Sequence, residues 1–187
     1  MKSELKYAFL GLISYVLVAC ESVPDEVRVL EKSRMNPPAW IAEGLGFKPT
    51  PYGFHYVLCK DKVLNLPLGL IQTENGVLYN LKFQMFKTIQ SHVDAQKLSA
   101  QSSRDFNEQL SKILDKRLTK TNIRDFYYDK ISNPLTENGL IPEYYQIYAL
   151  AQIDTVQATS IAADVKAFVK SYPSEDLRSQ INSLSQF

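Results

Sequence analysis

Hydrophobic and polar positions divide the chain into stretches of different character. Tyr7 to Val18 is a short apolar run, preceded by Lys2 and Lys6. Residues 20–38 mix charges (Glu21, Asp25, Glu26, Arg28, Glu31, Lys32, Arg34) with prolines at 24, 37 and 38, and hold few large apolar groups. That composition predicts a tether, followed by one domain over residues 39–187. Trp40, an isolated indole just after Pro37-Pro38, is expected to pack on the domain and pin the incoming chain.

Inside the domain the periodicity changes several times. Gly44, Gly46, Pro49, Pro51 and Gly53 punctuate a loop-rich start. Phe54 to Cys59 is short, β-prone and bounded by turn residues, which predicts a buried strand. Val63 to Ile71 is a second extended candidate, reduced by Pro67 to an edge strand or irregular segment, and Glu74-Asn75-Gly76 reads as a turn. Leu78, Leu81, Met85, Ile89 and His92 then fall at offsets 0, 3, 7, 11 and 14, the stripe of a helix, with Phe83 and Phe86 widening its buried face. A second helix is expected from Arg104 to Leu118, with Ser102 and Ser103 as N-caps.

The strongest β signal follows. Residues 122–132 and 143–154 are rich in aromatic and branched side chains, and Asn133-Pro134 and Asn138-Gly139 mark the connection between them. This predicts an antiparallel hairpin with a long loop. On its second strand Tyr145, Ile147, Ala149, Ala151 and Ile153 share the face suited to a covering helix, and Tyr144, Gln146, Tyr148 and Gln152 take the other. Ile161, Val165, Phe168 and Tyr172 mark a further helix ended by Pro173, and Ser174 is expected to cap a short last one. Strands and helices do not alternate regularly, so the fold class is α+β, a small antiparallel sheet packed against several helices.

Chemistry enters at the N-terminus. Two lysines, an apolar core and small residues before a cut site predict a signal peptide over residues 1–19. The apolar run has 12 residues, against the roughly 20 of a membrane-spanning helix. Leu17-Val18-Ala19-Cys20 resembles the lipobox of bacterial lipoproteins, which implies diacylglyceryl attachment to Cys20 and cleavage before it. Glu21 follows the cysteine, where an aspartate would resemble the inner-membrane retention signal, so the likeness implies the outer membrane, periplasmic or surface-exposed. Acyl chains contribute about 0.8 kcal/mol per buried methylene, enough with two or more chains for stable anchoring.

Cleavage leaves 19 basic and 19 acidic side chains, without the basic stripe of a nucleic-acid binder. With Cys20 lipidated, Cys59 is the only other cysteine, so no intrachain disulfide is expected and the thiol reads as a small apolar group. His55 and Cys59, four apart on a strand, lie about 13 Å from each other, too far for a nucleophile and its base. Asp125 and Asp129 have the same spacing and read as solvated surface charges. No catalytic motif, cofactor site or metal cluster is apparent, and no enzyme activity is expected.

Beyond the lipobox, Pro37-Pro38-Ala39-Trp40, a following strand and helices, and the late hairpin DFYYDK…YYQIYALAQID resemble the Lpp-twenty-type family of small bacterial lipoproteins, some of them flagellum-associated. The likeness spans about residues 37–170. It implies a compact α+β domain that assembles with itself or with other envelope proteins, without catalysis. The expected function is therefore a structural or interaction component of a cell-envelope assembly, held to the membrane through the N-terminal lipid. The candidate contact surface is Tyr127, Tyr128, Tyr144 and Tyr148, because exposed tyrosines suit interfaces. The alternatives are a binding module for a lipid or cell-wall fragment, and an enzyme with an unrecognised site.

Overall fold

The computed structural model describes residues 28–132, 143–182 and 184. In chain order they form β1 (Arg28–Lys32), α1 (Ala39–Ala42), β2 (Gly46–Thr50), β3 (Gly53–Val63), α2 (Leu66–Gln90), α3 (Ala100–Arg117), β4 (Ile123–Ser132), β5 (Glu143–Asp154), α4 (Thr155–Ser171) and α5 (Glu175–Arg178). The strands make one antiparallel sheet in the order β1-β4-β5-β3-β2. The fold is α+β, as the pattern predicts, and β4 and β5 form the expected hairpin, whose connecting residues lie outside those described.

One face of the sheet carries the helices and the main core. Ala149, Ala151 and Ile153 on β5 are buried against Val77, Leu81, Met85 and Ile89 of α2 and against Phe106, Leu110 and Leu114 of α3, and Ile147 is buried under Gly69 at the start of α2. Ile161, Val165 and Val169 of α4 and Leu177 of α5 complete it. The small alanines at the middle of β5 let the helices approach. Polar groups align the helices: Arg117 Nε donates to Asp164 at 2.7 Å, and Tyr172 donates to Asp105 at 2.5 Å. Asp176 accepts from the backbone of Ser99 and the hydroxyl of Ser102 at the start of α3.

Two stretches depart from the sequence pattern. Residues 28–32, expected within the tether, form β1 at the β4 edge of the sheet, so the domain begins well before Trp40. Val63 to Ile71, expected as an edge strand or irregular segment, instead ends β3 at Val63 and enters the 25-residue helix α2 at Leu66, and Glu74-Asn75-Gly76, expected as a turn, lies within that helix. Pro67 sits in the first helical turn, where its missing N–H costs nothing, and Asn65 caps the helix by accepting from Leu68 N at 3.0 Å. Ser99 rather than Ser102 or Ser103 caps α3, accepting from Ser102 N, and Ser174 stands at the N-cap of α5 without a side-chain cap bond.

The glycines of α2 are explained by what lies under them. A Cβ at Gly69 would stand 2.3 Å from Val63 Cγ1 and 2.6 Å from Ile147 Cδ1; one at Gly76 would stand 2.8 Å from Leu58 Cδ2. The helix lies so close to β3 and β5 that side chains at these points would collide with the sheet.

Gly69→Ala gains about 1 kcal/mol of helix preference, yet overpacks a β-branched neighbour that has little freedom to turn away. The expected net loss is about 1–3 kcal/mol of unfolding free energy in urea titration. Gly76→Ala meets only the flexible end of Leu58 and is expected to change stability by less than about 1 kcal/mol.

Candidate interaction surface

β1 and β2 lie at opposite edges of the sheet, so residues 33–45 cross from one edge to the other. They cross the face away from the helices. Asp125 and His55 both point to that face, and both meet the crossing segment: Trp40 Nε1 donates to Asp125 Oδ2 at 3.0 Å, and Glu43 Oε2 stands 3.7 Å from His55 Nε2. Arg34 also bonds Asp125, and donates to the carbonyl of Phe126 at 2.7 Å. Ser33 exchanges backbone and hydroxyl bonds with Tyr128 at 2.9 Å each. The segment is a strap, and Trp40 pins it as the sequence suggests.

Under and beside the strap is a second, smaller buried layer. Val57 and Tyr127 are each 1% exposed and His55 is 7% exposed, although all three face away from the helices. Asp125 is therefore a strap anchor rather than a solvated charge. Partial burial opposes its ionisation, but the bonds from Arg34 and Trp40 outweigh this and hold its pKa below the usual carboxylate value.

The four tyrosines expected as a contact surface have different surroundings. Tyr127 is buried, its hydroxyl donating to Asp129 at 2.6 Å, and desolvation followed by that carboxylate raises its pKa. Tyr148 is half-buried on the same face, 6.2 Å from the Tyr127 ring and paired across strands with Cys59. Burial, then the neighbouring Cys59, pushes its pKa up to about 12. Tyr144, across from Ile131, is half-buried further along that face. Tyr128 points to the opposite face, where it meets Tyr145 edge-on at 5.8 Å and Glu31 at 3.1 Å. The four do not form one exposed patch, because neighbouring strand residues alternate faces and the deepest of them, Tyr127, is buried. Cys59 is half-buried rather than buried, and desolvation ahead of all other causes raises its pKa, against a hydrogen bond with Tyr148 that lowers it. Cys20 lies outside the described residues.

The exposed aromatic surface is on α2 instead. Residues four apart (Thr73, Val77, Leu81, Met85, Ile89) bury one side of the helix, while Tyr79 is 68% and Phe83 44% exposed on another. Phe83, expected in the buried face, thus points outward. Tyr79, Phe83 and Phe86 line a groove of about 400 Å³ against Leu114 of α3, with the Lys82–Asp115 ion pair (2.8 Å) at its rim. The signal for this surface is present in the chain: α2 is apolar around too much of its circumference for one buried stripe. Among the described residues no group of three or more His, Cys, Asp or Glu could hold a metal ion, and no helix is long and apolar enough to cross a membrane.

Asp125→Ala should free the strap, lowering stability by about 1–2 kcal/mol and shifting the emission of Trp40, the one tryptophan, to the red. The sign of the pH effect follows from the depressed pKa: the contribution is complete above the unfolded carboxylate value near 3.9 and is lost as pH falls through the lower folded value. Trp40 emission should stay constant from neutral pH to about 4 and redden only below it. Tyr127→Ala should cost about 3–5 kcal/mol, and Tyr79→Ser within about 0.5 kcal/mol, as denaturant titration would show. Comparison of the chain with protein-family models, with curated proteins and with solved structures finds no match for it.

Proposed function

We propose that the protein is a lipid-anchored component of a bacterial cell envelope that acts by protein–protein contact rather than catalysis. The observation that carries this reading is Leu17-Val18-Ala19-Cys20 behind a short apolar run and two lysines, which resembles a lipobox and gives Cys20 the role of lipid attachment site. The outer membrane is the proposed location, and the flagellum-associated members of the Lpp-twenty-type family are the proposed functional parallel.

The contact face is the outward side of α2 around Tyr79 and Phe83. Large aromatics held on a rigid helix lose little entropy on docking, and the adjoining groove receives an apolar side chain from a partner or a second copy. This face replaces the four hairpin tyrosines as the proposed interface.

Cys20→Ser should abolish labelling by an alkyne fatty acid and move the processed chain from the membrane to the soluble fraction. Persistence in the membrane fraction after cleavage would overturn the lipid-anchor reading. With the wild-type N-terminus, a photo-crosslinking residue at position 79 or 83 should yield discrete adducts in intact cells, and one at the exposed Val156 should not. Equal adducts at all three positions, or none, would overturn the choice of face.

A further inference from the structure

A second exposed apolar patch lies at the end of the sheet where the N-terminal chain arrives. The register places Arg28 opposite Ser132, Ser132 opposite Glu143, and Val63 opposite Tyr145, so the start of β1 and the end of β3 lie at one end. α2 begins there, since Gly69 lies over Val63 and Ile147. Leu64 is 67%, Leu68 53% and Ile71 54% exposed, and Val29 and Leu30 of β1 are each about half exposed. These are five of the eleven large apolar side chains exposed among the described residues, gathered at one end. They do not line the groove around Phe83. A bulge at the end of β3, with Lys62 at φ 56°, carries the chain outward into Leu64.

We infer that this end of the domain seats on the lipid bilayer, with Leu64, Leu68 and Ile71 entering the interfacial region and Arg28 and Lys62 meeting anionic headgroups. The inference rests on the proposed lipidation of Cys20. Cys20 is eight positions before Arg28, and even a fully extended chain of that length reaches only about 28 Å. Because residues 28–32 belong to the sheet, the tether is far shorter than the charged stretch suggests, and the end of the sheet bearing the patch is the one held at the membrane. At that effective concentration a patch too weak to bind lipid unaided is engaged by its geometry. Exposed leucines beside cations form the composition that interfacial lipid favours; a polar end would have served a tether in water equally well.

The test uses the lipidated full-length protein in phosphatidylethanolamine–phosphatidylglycerol vesicles containing doxyl-labelled lipid. Cys59→Ala removes the native thiol, and Leu68→Cys or Val156→Cys carries an environment-sensitive fluorophore; Ile71→Cys repeats the measurement if Leu68→Cys does not fold. The expected result is blue-shifted emission at position 68 with lipid quenching several-fold stronger than at 156. Equal weak quenching at both positions would overturn the proposal and leave the anchor intact. A blue shift at 68 without lipid quenching would also overturn it, by showing that protein, such as a second copy, covers the patch. Failure of the chain to float with the vesicles would overturn the lipid anchor itself, and this proposal with it.

Discussion

β1 and β2 stand at opposite edges of a single sheet, and the thirteen residues joining them cross one of its faces. The helices occupy the other face, so this crossing is what closes the second side of the fold. A five-stranded sheet with one face in water would leave Val57 and Tyr127 solvated; here both are buried. The clasp at Asp125 sets where the strap lies, because one carboxylate receives both the guanidinium of Arg34 and the indole of Trp40. Its ionisation is favoured by the groups it holds, and that coupling makes the strap a feature of the folded state at neutral pH rather than a loosely laid loop.

The helical side obeys a different constraint. α2 is pressed onto β3 and β5 closely enough that Gly69 has no room for a side chain and Gly76 little, and Thr73, buried between them in sequence, satisfies its hydroxyl by donating to the Gly69 carbonyl at 2.7 Å. Close approach over the first half of the helix gives way to large apolar side chains, Leu81, Met85 and Ile89, in the second. The same helix carries apolar residues on its outward side, and burial in the core cannot account for those. Their chemistry is available to something outside the chain.

The hairpin was legible in the residues because alternation over 143–154 matches a strand with one face buried, and each of its faces holds the side chains that the period of two assigns. α3 and α4 were legible from single stripes. Two kinds of feature were not. Pro67 and Gly76 are punctuation in a one-dimensional pattern, yet both serve a helix: one because the first turn needs no N–H there, the other because a strand passes underneath. Likewise residues 28–32 carry charges suited to a solvated tether, and only the open edge of β4 recruits them into the sheet. The tyrosines illustrate the limit for sites. Their faces were readable, but their exposure depended on tertiary packing that no local pattern encodes.

Geometry links the two apolar regions of α2. From Leu68 to Phe83 is fifteen residues of helix, about 22 Å along its axis. With the Leu68 end at the bilayer and the helix running up over the sheet, the Tyr79–Phe83 groove stands clear of the headgroups by that order of distance. A partner docking there would approach from the aqueous side without competing with lipid for the same surface. The two proposals for the exposed residues are therefore compatible on one helix: its first turns would orient the domain, and its later turns would present the aromatic face at a defined height. On that proposal a tether running as far as Pro38 would leave the orientation unfixed, and the incorporation of β1 into the sheet would shorten it to the residues before Arg28.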